Sequence, residues 1–273
     1  MIKEIEDLNE PELDIYARLN EAQLLRYYEP EPGIFIAESP GVIMQAIEAG
    51  YELISLLVEK ERIEKETPQI LGSLSRPVPV YVADREVLKK LTGYALVRGL
   101  WGAFRRKPVQ DFNEFCNEKK RIAVLYDIVN PTNVGAIIRS AAALGMDGVI
   151  ATRDTVNPLY RRSARVSMGT VFMIPWTVAG KEESTGCNLI DRLGAMGFVT
   201  AAMALSDNAK SIKDTDLKAA DRLAVILGSE GYGLPGDVIE ACDIAVKIPM
   251  YHGVDSLNVA AASAVCFWEI CAG

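Results

Sequence analysis

The sequence contains few of the residues that metal and thiol chemistry require. Its 273 residues include a single histidine, and the five cysteines form no C-x-x-C pair. An odd number of cysteines without paired spacing disfavours a disulfide framework and a structural zinc site, and favours free thiols in a reducing compartment. The sequence also lacks H-E-x-x-H and P-loop patterns, so nothing in it indicates a metal site or ATP chemistry.

Long apolar runs and an excess of positive charge are absent as well. No stretch approaches the roughly 18 uninterrupted apolar residues of a membrane span, and the opening residues, MIKEIEDLNE, lack the apolar segment of a secretory leader. We therefore expect a cytoplasmic protein that does not enter a membrane. The net charge of −8 excludes a protein that holds nucleic acid by bulk positive charge, but it leaves room for a local basic patch.

The chain is long enough for two domains, and its pattern changes after residue 110. Up to that point helical segments alternate with short apolar strands, at 33–37, 51–58 and 78–82. This alternation predicts a small α/β domain over residues 1–110. The next stretch, 111–120, is polar and lacks sustained periodicity, which indicates a linker.

The second part, residues 121–273, predicts a larger sheet. Its strands are continuous apolar runs, at 122–127, 148–151, 198–203, 223–227 and 244–248. Helices are predicted between them, including one over 134–144 and a last one that covers 256–270. Uninterrupted apolar strands separated by helices are typical of a parallel sheet that is buried on both faces. The predicted fold class is therefore α/β in both parts.

The loop after the first strand of this second sheet, DIVNPTNVGAIIR, combines a helix start with an isolated cation. Asn133 is suited to cap the following helix. Arg139 stands among the apolar residues Ile137, Ile138 and Ala141, and its position has two interpretations. Its stem could pass along a core helix into solvent, or its guanidinium could bind a phosphate or carboxylate at the mouth of the sheet.

Two further loops follow later strands. Residues 228–235, GSEGYGLP, have the glycine order G-x-x-G-x-G, which differs from the dinucleotide fingerprint but suits a ligand that lies against bare backbone. Within this loop Glu230 could bind a ligand group or cap the turn. Residues 248–258, IPMYHGVDSLN, lead into the last helix, with Ser256 as the expected N-cap. His252 lies in the same loop without a partner that the sequence can identify, and is interpreted as a loop residue.

Taken in order, these three loops resemble the motifs of the SpoU/TrmH family of RNA ribose methyltransferases, part of the SPOUT superfamily. The matching stretches are N-P-T-N-V-G-A-I-I-R, I-L-G-S-E-G-Y-G-L-P and I-P-M-Y-H-G-V-D-S-L-N-V-A-A-A. Residues 1–110 are similar in length and pattern to the small ribosomal-protein-like domain that precedes the catalytic domain in many members. The resemblance implies a parallel α/β sheet whose C-terminal segment is threaded into a trefoil knot, and a homodimer built on the catalytic domain.

The resemblance also implies the chemistry. Members transfer a methyl group from S-adenosyl-L-methionine to a ribose 2′-hydroxyl of RNA, and we expect ribosomal RNA in preference to transfer RNA. Carried over residue by residue, the catalytic residues would be Asn133, Arg139, Glu230, Ser256 and Asn258. The cofactor would be bound by Leu227, Gly228, Gly231, Ile248, Met250, Ser256 and Leu257.

RNA binding by an acidic chain requires local cations. Two arginine-rich stretches are available, one before the predicted linker and one between the first motif and the next strand. From these we expect RNA contacts by Arg105, Arg106, Arg161, Arg162 and Arg165. Two other functions stay open, namely a non-catalytic RNA-binding module of the same fold and a nucleotide-dependent α/β enzyme that uses the glycine-rich loop.

Overall fold

The structure is a computed structural model that describes residues 2–5, 10–92, 99–184, 187–206 and 208–271. Within these ranges the strands, numbered β1 to β12 in chain order, are Ile2–Glu4, Ile34–Glu38, Leu53–Glu59, Val80–Ala83, Leu100–Arg105, Arg121–Leu125, Gly148–Ala151, Trp176–Val178, Val199–Met203, Lys210–Ser211, Leu223–Leu227 and Ile244–Lys247. The helices, α1 to α12, are Asp14–Ala17, Glu21–Leu25, Pro40–Glu48, Ile63–Gly72, Arg85–Thr92, Phe112–Cys116, Pro131–Ala143, Arg161–Val166, Asn188–Ala195, Thr215–Ala219, Gly236–Ala241 and Val259–Cys271.

The chain divides into two compact units, and neither unit is a continuous stretch of sequence. The first unit comprises Met1–Pro108 and Leu159–Phe172, and the second comprises Val109–Pro158 and Met173–Gly273. One boundary is therefore close to the change of pattern that the sequence shows after residue 110. The assignment of Leu159–Phe172 to the first unit differs from the prediction, which kept the whole of residues 121–273 together.

The first unit is built on a five-stranded mixed sheet with the order β1-β4-β3-β5-β2. The three strands β1, β4 and β3 are parallel, whereas β5 runs antiparallel to both of its neighbours. The apolar sequence of β2, IFIAE, agrees with its place in the sheet, because its first four residues are buried. One face of the sheet packs on α1 and α2 through a core that includes Leu13, Tyr16, Leu24, Leu57 and Trp101.

The segment Leu159–Phe172 completes the packing of the first unit. It contains α8, which contacts β2. The guanidinium of Arg161 lies over the ring of Trp101 at 4.3 Å from its centroid. The ring of Phe172 lies 5.6 Å from that of Phe35 and 5.3 Å from that of Tyr51. A stretch that follows β7 in the chain thus contributes aromatic and cation–π contacts to the first unit.

The second unit holds a seven-stranded sheet with the order β10-β12-β9-β11-β6-β7-β8, and each of its described strand pairs is parallel. The predicted buried parallel sheet is confirmed, since every residue of β7 and β11 is buried. The edge strands β8 and β10 were not predicted, because three and two residues are too short to show a pattern. The trefoil knot stays a prediction.

On one face of the second sheet, helices pack against the strands and form a continuous apolar core with them. Ile122 and Val124 of β6 pack with residues of α6, α9 and α11. The segment 111–120 is not a linker in the structure, because Asp111 caps α6 and both Phe112 and Phe115 are buried in this core. Over the described ranges, no helix is long and apolar enough to cross a membrane.

Candidate active site

A cavity of about 570 Å³ opens at the carboxyl edge of the second sheet. It is bounded by the residues that follow the adjacent strands β9, β11 and β12, and by the start of α12. The strands of a parallel sheet end at the same edge, and ligands of open α/β sheets bind in the crevice outside these ends. The volume falls in the range of about 300–1,000 Å³ that is usual for small-molecule sites.

The lining of this cavity includes the residues that the second and third loops were predicted to supply. Leu227, Gly228, Gly231, Ile248, Met250, Ser256 and Leu257 all lie in it, together with Glu230 and Asn258. The sequence did not single out the end of β9 and the residues after it, where Met203, Ala204 and Leu205 also line the cavity. That stretch carries no motif, but its place after a strand of the same parallel sheet is the signal that could have found it.

The glycine-rich loop closes on itself at the end of β11. Ser229 and Gly233 form an antiparallel bridge, and the backbone N–H of Gly233 donates to the carbonyl of Ser229 at 3.0 Å. A Cβ atom at Gly228 would lie 2.5 Å from the carbonyl carbon of Gly233 and 2.6 Å from the nitrogen of Leu234. Gly228 is therefore required by the loop itself, in addition to any approach of a ligand.

The first and third loops meet through two asparagine side chains. The Nδ2 group of Asn258 donates to Oδ1 of Asn133 at 3.3 Å. Asn133 is only 6% exposed, whereas Asn258 is exposed and lines the cavity. The sequence predicted both residues as site residues but gave no means of pairing them.

The residues that cap α7 and α12 differ from those that the sequence predicted. The side chain of Asn130, not Asn133, caps α7 by accepting from the N–H of Thr132 at 2.9 Å. The side chain of Asn258, not Ser256, accepts from the N–H of Ala260 at 3.0 Å at the start of α12. Ser256 is therefore not used as a cap and lies on the cavity lining, whereas Asn133 is held by Asn258 behind that lining.

The turn that leads from β6 into α7 is fixed by hydrogen bonds to the segment after β7. Asp127 has a positive φ of 53°, and its carboxylate accepts from the hydroxyl of Thr152 at 2.8 Å. The hydroxyl of Thr155 donates to the carbonyl of Leu125 at 2.7 Å. These contacts hold the start of α7, and with it Asn133, in a defined position relative to the sheet edge.

Arg139 lies on the exposed side of α7, six residues after Asn133. The buried side of this helix is formed instead by Val134, Ile137 and Ile138. Arg139 is not part of the cavity lining, and its side chain forms no hydrogen bond or ion pair with any residue that the structure describes. Packing therefore does not explain this arginine, and its guanidinium is available to an external group.

His252 is placed as the sequence suggested, in the exposed loop before α12. Its backbone has a positive φ of 59°, and the residue does not line the cavity. The left-handed conformation is uncommon for a residue other than glycine, and it occurs here in a turn. The geometry gives this histidine a conformational role in the loop.

The cysteine thiols are held in their neutral form. Burial raises the pKa of Cys116 to about 11 and that of Cys242 to about 12. Burial also raises the pKa of the Cys187, Cys266 and Cys271 thiols. Thiolates are the reactive form of cysteine, so these groups are poor nucleophiles near neutral pH. The described lining of the cavity contains no cysteine.

The five arginines that were expected to contact RNA all belong to the first unit, and most of them have partners inside it. The expectation that Arg106 contacts RNA was wrong, because this residue is 6% exposed and its Nε donates to the carbonyl of Ile34. Burial lowers the pKa of Arg106 to about 10. Arg161 stacks on an indole, as described above, and its backbone N–H donates to a carboxylate oxygen of Glu21 at 3.0 Å.

The remaining three arginines keep an exposed portion. Arg165 forms an ion pair with Glu38 at 3.0 Å, and Arg105 lies over Tyr28 while pairing with a glutamate. Arg162 is exposed on α8. The pattern of arginines in the sequence could not separate these from the buried Arg106, since burial follows from the tertiary fold.

Comparison with known proteins identifies the class. A sequence model of the SpoU rRNA methylase family matches residues 120–268, more than half of the chain. The chain is 29% identical over 269 residues to an uncharacterized tRNA/rRNA methyltransferase of Mycobacterium tuberculosis, with 98% of this chain and 91% of the relative covered.

Solved structures agree over nearly the whole chain. An AdoMet-bound rRNA methyltransferase of Sinorhizobium meliloti superposes with a TM-score of 0.80 at 25% identity, with 98% of this chain and 97% of that chain covered. A crystal structure of an RNA 2′-O ribose methyltransferase gives 0.78 at 25% identity, with 99% and 98% covered. The fold is that of an RNA methyltransferase that uses S-adenosyl-L-methionine. The chain belongs to the SpoU rRNA methylase family.

The residues around the cavity fit this cofactor. Leu227 and Ile248 offer apolar surface that suits an adenosine ring, and Gly228 and Gly231 bring backbone without a side chain to the lining. The only lysine in the described lining, Lys247, is held by the carbonyl of Ser206 at 3.3 Å. Glu230 brings a carboxylate to the rim, where an ammonium group could be paired.

Proposed function

We propose that this protein transfers a methyl group from S-adenosyl-L-methionine to a ribose 2′-hydroxyl of RNA, with ribosomal RNA favoured over transfer RNA. The observation that carries the proposal is the hydrogen bond between Asn258 and Asn133 beside the cavity, with Ser256 on the same lining. These are uncharged groups that both donate and accept hydrogen bonds, which suits the orientation of a neutral hydroxyl group.

Each site residue has a role in this proposal. The bound cofactor supplies a methyl group on a positively charged sulfur. Ser256 and Asn258 orient the ribose hydroxyl, and Asn133 fixes the amide of Asn258. A guanidinium already carries its proton and cannot act as the base, so Arg139 binds the phosphate next to the target ribose, and an oxygen of that phosphate takes the proton that leaves the hydroxyl. Glu230 accepts a hydrogen bond at the rim.

The chemistry of the cysteines argues against a ring carbon as the methyl acceptor. Methylation of a ring carbon needs a nucleophile that adds to the base, and a thiolate is well suited to that step. The described cavity lining holds no cysteine, and the pKa values of the thiols are raised as described above. A positioned hydroxyl acceptor requires no such nucleophile, only alignment with the methyl group and an acceptor for the hydroxyl proton.

The experiment that tests the proposal identifies the product. The protein is incubated with labelled S-adenosyl-L-methionine and RNA from cells of its source that lack the gene. The RNA is then digested to nucleosides for mass spectrometry, with ribosomal and transfer RNA handled separately. Label in a 2′-O-methylnucleoside supports the proposal. Label on a base would contradict it, and label in transfer RNA alone would reverse the preferred substrate.

We further propose that the protein acts as a homodimer through its second unit. The last helix, α12, leaves Val265 and Trp268 exposed at 42% and 63%, three residues apart on one face. Leu257, just before this helix, is also exposed. An exposed apolar stripe of this kind suits a symmetric interface. Sedimentation equilibrium tests it, and a monomer at micromolar concentration would reject it.

The first unit is proposed to bind RNA for the second. Its exposed arginines, Arg105, Arg162 and Arg165, remain the candidates for phosphate contacts. Arg106, which is buried, and Arg161, whose guanidinium lies over Trp101, are left out of this set. A few local cations are sufficient for such a role, because each phosphate contact adds to affinity even on an acidic protein.

A further inference from the structure

Tyr232 has the most exposed large apolar side chain among the residues that the structure describes. Its exposure is 98%, compared with 78% for Tyr251 and 63% for Trp268. Single exposed apolar residues are common on protein surfaces and need no explanation by themselves. The position of Tyr232 is what sets it apart, because it lies on the lining of the active-site cavity.

The turn that carries this tyrosine is short and closed. Residues 230–232 form its tip, and the bridge between Ser229 and Gly233 closes it at the base. Gly233 has a positive φ of 66°, which permits the tight return of the chain. The base is joined directly to the end of β11, whose residues are all buried. The ring of Tyr232 is thus presented to solvent from a closed turn that is joined to the buried end of β11.

The cavity has a buried floor and an exposed rim. Leu227 and Val246 of the floor are each 1% exposed. Glu230, Tyr232 and Asn258 belong to the exposed part of the lining. A cofactor bound on this floor leaves the exposed ring of Tyr232 open to the other reactant, the RNA.

We propose that Tyr232 is a positioning residue on which a nucleobase of the RNA, at or next to the target ribose, stacks. This inference rests on the proposed function. Bases that are unpaired in single-stranded RNA stack on aromatic side chains in many RNA-binding proteins. Stacking is well suited to an acidic protein, since it requires no positive charge. The phenol hydroxyl can remain in water while the ring face is covered by the base.

Two substitutions separate the ring from the rest of the side chain. Tyr232→Leu keeps apolar volume but removes the aromatic face, whereas Tyr232→Phe keeps the face and removes the hydroxyl. Because the side chain is exposed, neither change should disturb folding, which thermal unfolding checks. Methyl transfer is measured over a range of concentrations of RNA from cells that lack the gene. Calorimetry measures binding of S-adenosyl-L-methionine to the same proteins.

The kcat/KM of the Leu variant for RNA is expected to fall roughly five- to a hundredfold, mainly through a higher KM. This is the loss in binding that corresponds to the stacking of one base. Tyr232→Phe should restore most of this loss, and the cofactor Kd should not change in either variant. An unchanged kcat/KM in Tyr232→Leu would overturn the inference. So would equal losses in the Phe and Leu variants, because the hydroxyl would then be the important group.

A weaker cofactor Kd in Tyr232→Leu would also overturn it, since the ring would then stack on the adenine of the cofactor. These outcomes are separate from those of the proposed function. If the wild-type product carries its methyl group on a base, the ribose assignment fails whatever the variants do. If the product is a 2′-O-methylnucleoside and Tyr232→Leu behaves like wild type, only the stacking inference fails.

Discussion

Asn133 and Asn258 lie 125 positions apart in the chain, and their side-chain amides meet at 3.3 Å. Asn258 uses both ends of its amide, because Nδ2 donates to Asn133 while Oδ1 accepts from the N–H of Ala260. The second contact fixes the start of α12. The first ties this helix start to α7. One side chain therefore combines a structural cap with a contact that joins two helix starts beside the cavity.

These two roles of Asn258 can be separated by substitution. Serine is also a good N-cap, but it is too short to reach Asn133. Asn258→Ser should therefore keep the stability of the protein and lose about tenfold to a hundredfold in the rate of methyl transfer. Asn258→Ala should lose activity and also about 1 kcal/mol of stability. Single-turnover rates and chemical denaturation measure the two effects, and a wild-type rate in both variants would disprove the role of this contact.

Gly228 and Gly231 form a matched pair for the cofactor loop. A Cβ atom at Gly228 would collide with the backbone of Gly233 and Leu234, whereas one at Gly231 meets no atom within 4 Å. Gly228→Ala should therefore deform the loop and weaken binding of S-adenosyl-L-methionine by about tenfold or more. Gly231→Ala should bind it within a few-fold of wild type. Calorimetric titration of both variants provides the test, and equal affinities would contradict the assigned loop geometry.

Arg139 should affect catalysis without affecting stability. Its side chain is exposed and has no partner among the described residues, so Arg139→Lys and Arg139→Ala should unfold at the wild-type temperature. If its planar guanidinium holds a phosphate, lysine cannot replace it, and both variants should lose about a hundredfold in single-turnover rate. A near-wild-type rate for Arg139→Lys would reduce its role to charge alone.

The stability of the first unit should depend on the ionisation of Glu21. Burial raises the pKa of this carboxyl above its ordinary 4.5, and its Oε2 has no hydrogen-bond partner. The folded state therefore holds the proton more tightly than the unfolded state. The contribution of Glu21 to the free energy of unfolding should fall as the pH rises from about 4.5. Glu21→Gln removes this dependence. The free energy of unfolding of the variant, relative to that of wild type, should therefore increase between about pH 4 and about pH 7.

Glu86 provides the control for this measurement. It is exposed, and the ion pair with Lys89 lowers the pKa of its carboxyl. A lowered pKa has the opposite effect on the pH dependence of stability, because the unfolded state then binds the proton more tightly than the folded state. The free energy of unfolding of Glu86→Gln, relative to that of wild type, should not increase as the pH rises. Denaturation curves in a series of buffers measure both differences, and parallel pH profiles for the two variants would refute the assignment to Glu21.

The sheets could be predicted from the sequence where a strand is long and buried. The run LAVIL at Leu223–Leu227 and the run GVIA at Gly148–Ala151 were found at their observed limits. The strand Leu100–Arg105 was missed, because a glycine and a terminal arginine interrupt its apolar pattern. The place of Leu159–Phe172 in the first unit was also missed. It depends on packing between residues far apart in the chain, which local periodicity does not contain.

The candidate site was more predictable in its residues than in its geometry. The loops of Gly228 and Ile248 follow strands of one parallel sheet, and such strands end at a common edge. The sequence could not show that Asn130 caps α7 in place of Asn133, because both are good capping residues three positions apart. It also could not distinguish the buried Arg106 from its exposed neighbour Arg105, since both belong to one short basic run.

The division of the first unit into two segments affects how the protein is made. The ribosome completes Met1–Pro108 well before it reaches Phe172. Until then Trp101 lacks its contact with Arg161, and Phe35 lacks its contact with Phe172. The first unit therefore cannot finish folding during synthesis until the whole first segment of the second unit, Val109–Pro158, has been translated. An evolutionary exchange of this unit between relatives has to carry both segments, and a gene fragment that stops at its first boundary encodes an incomplete core.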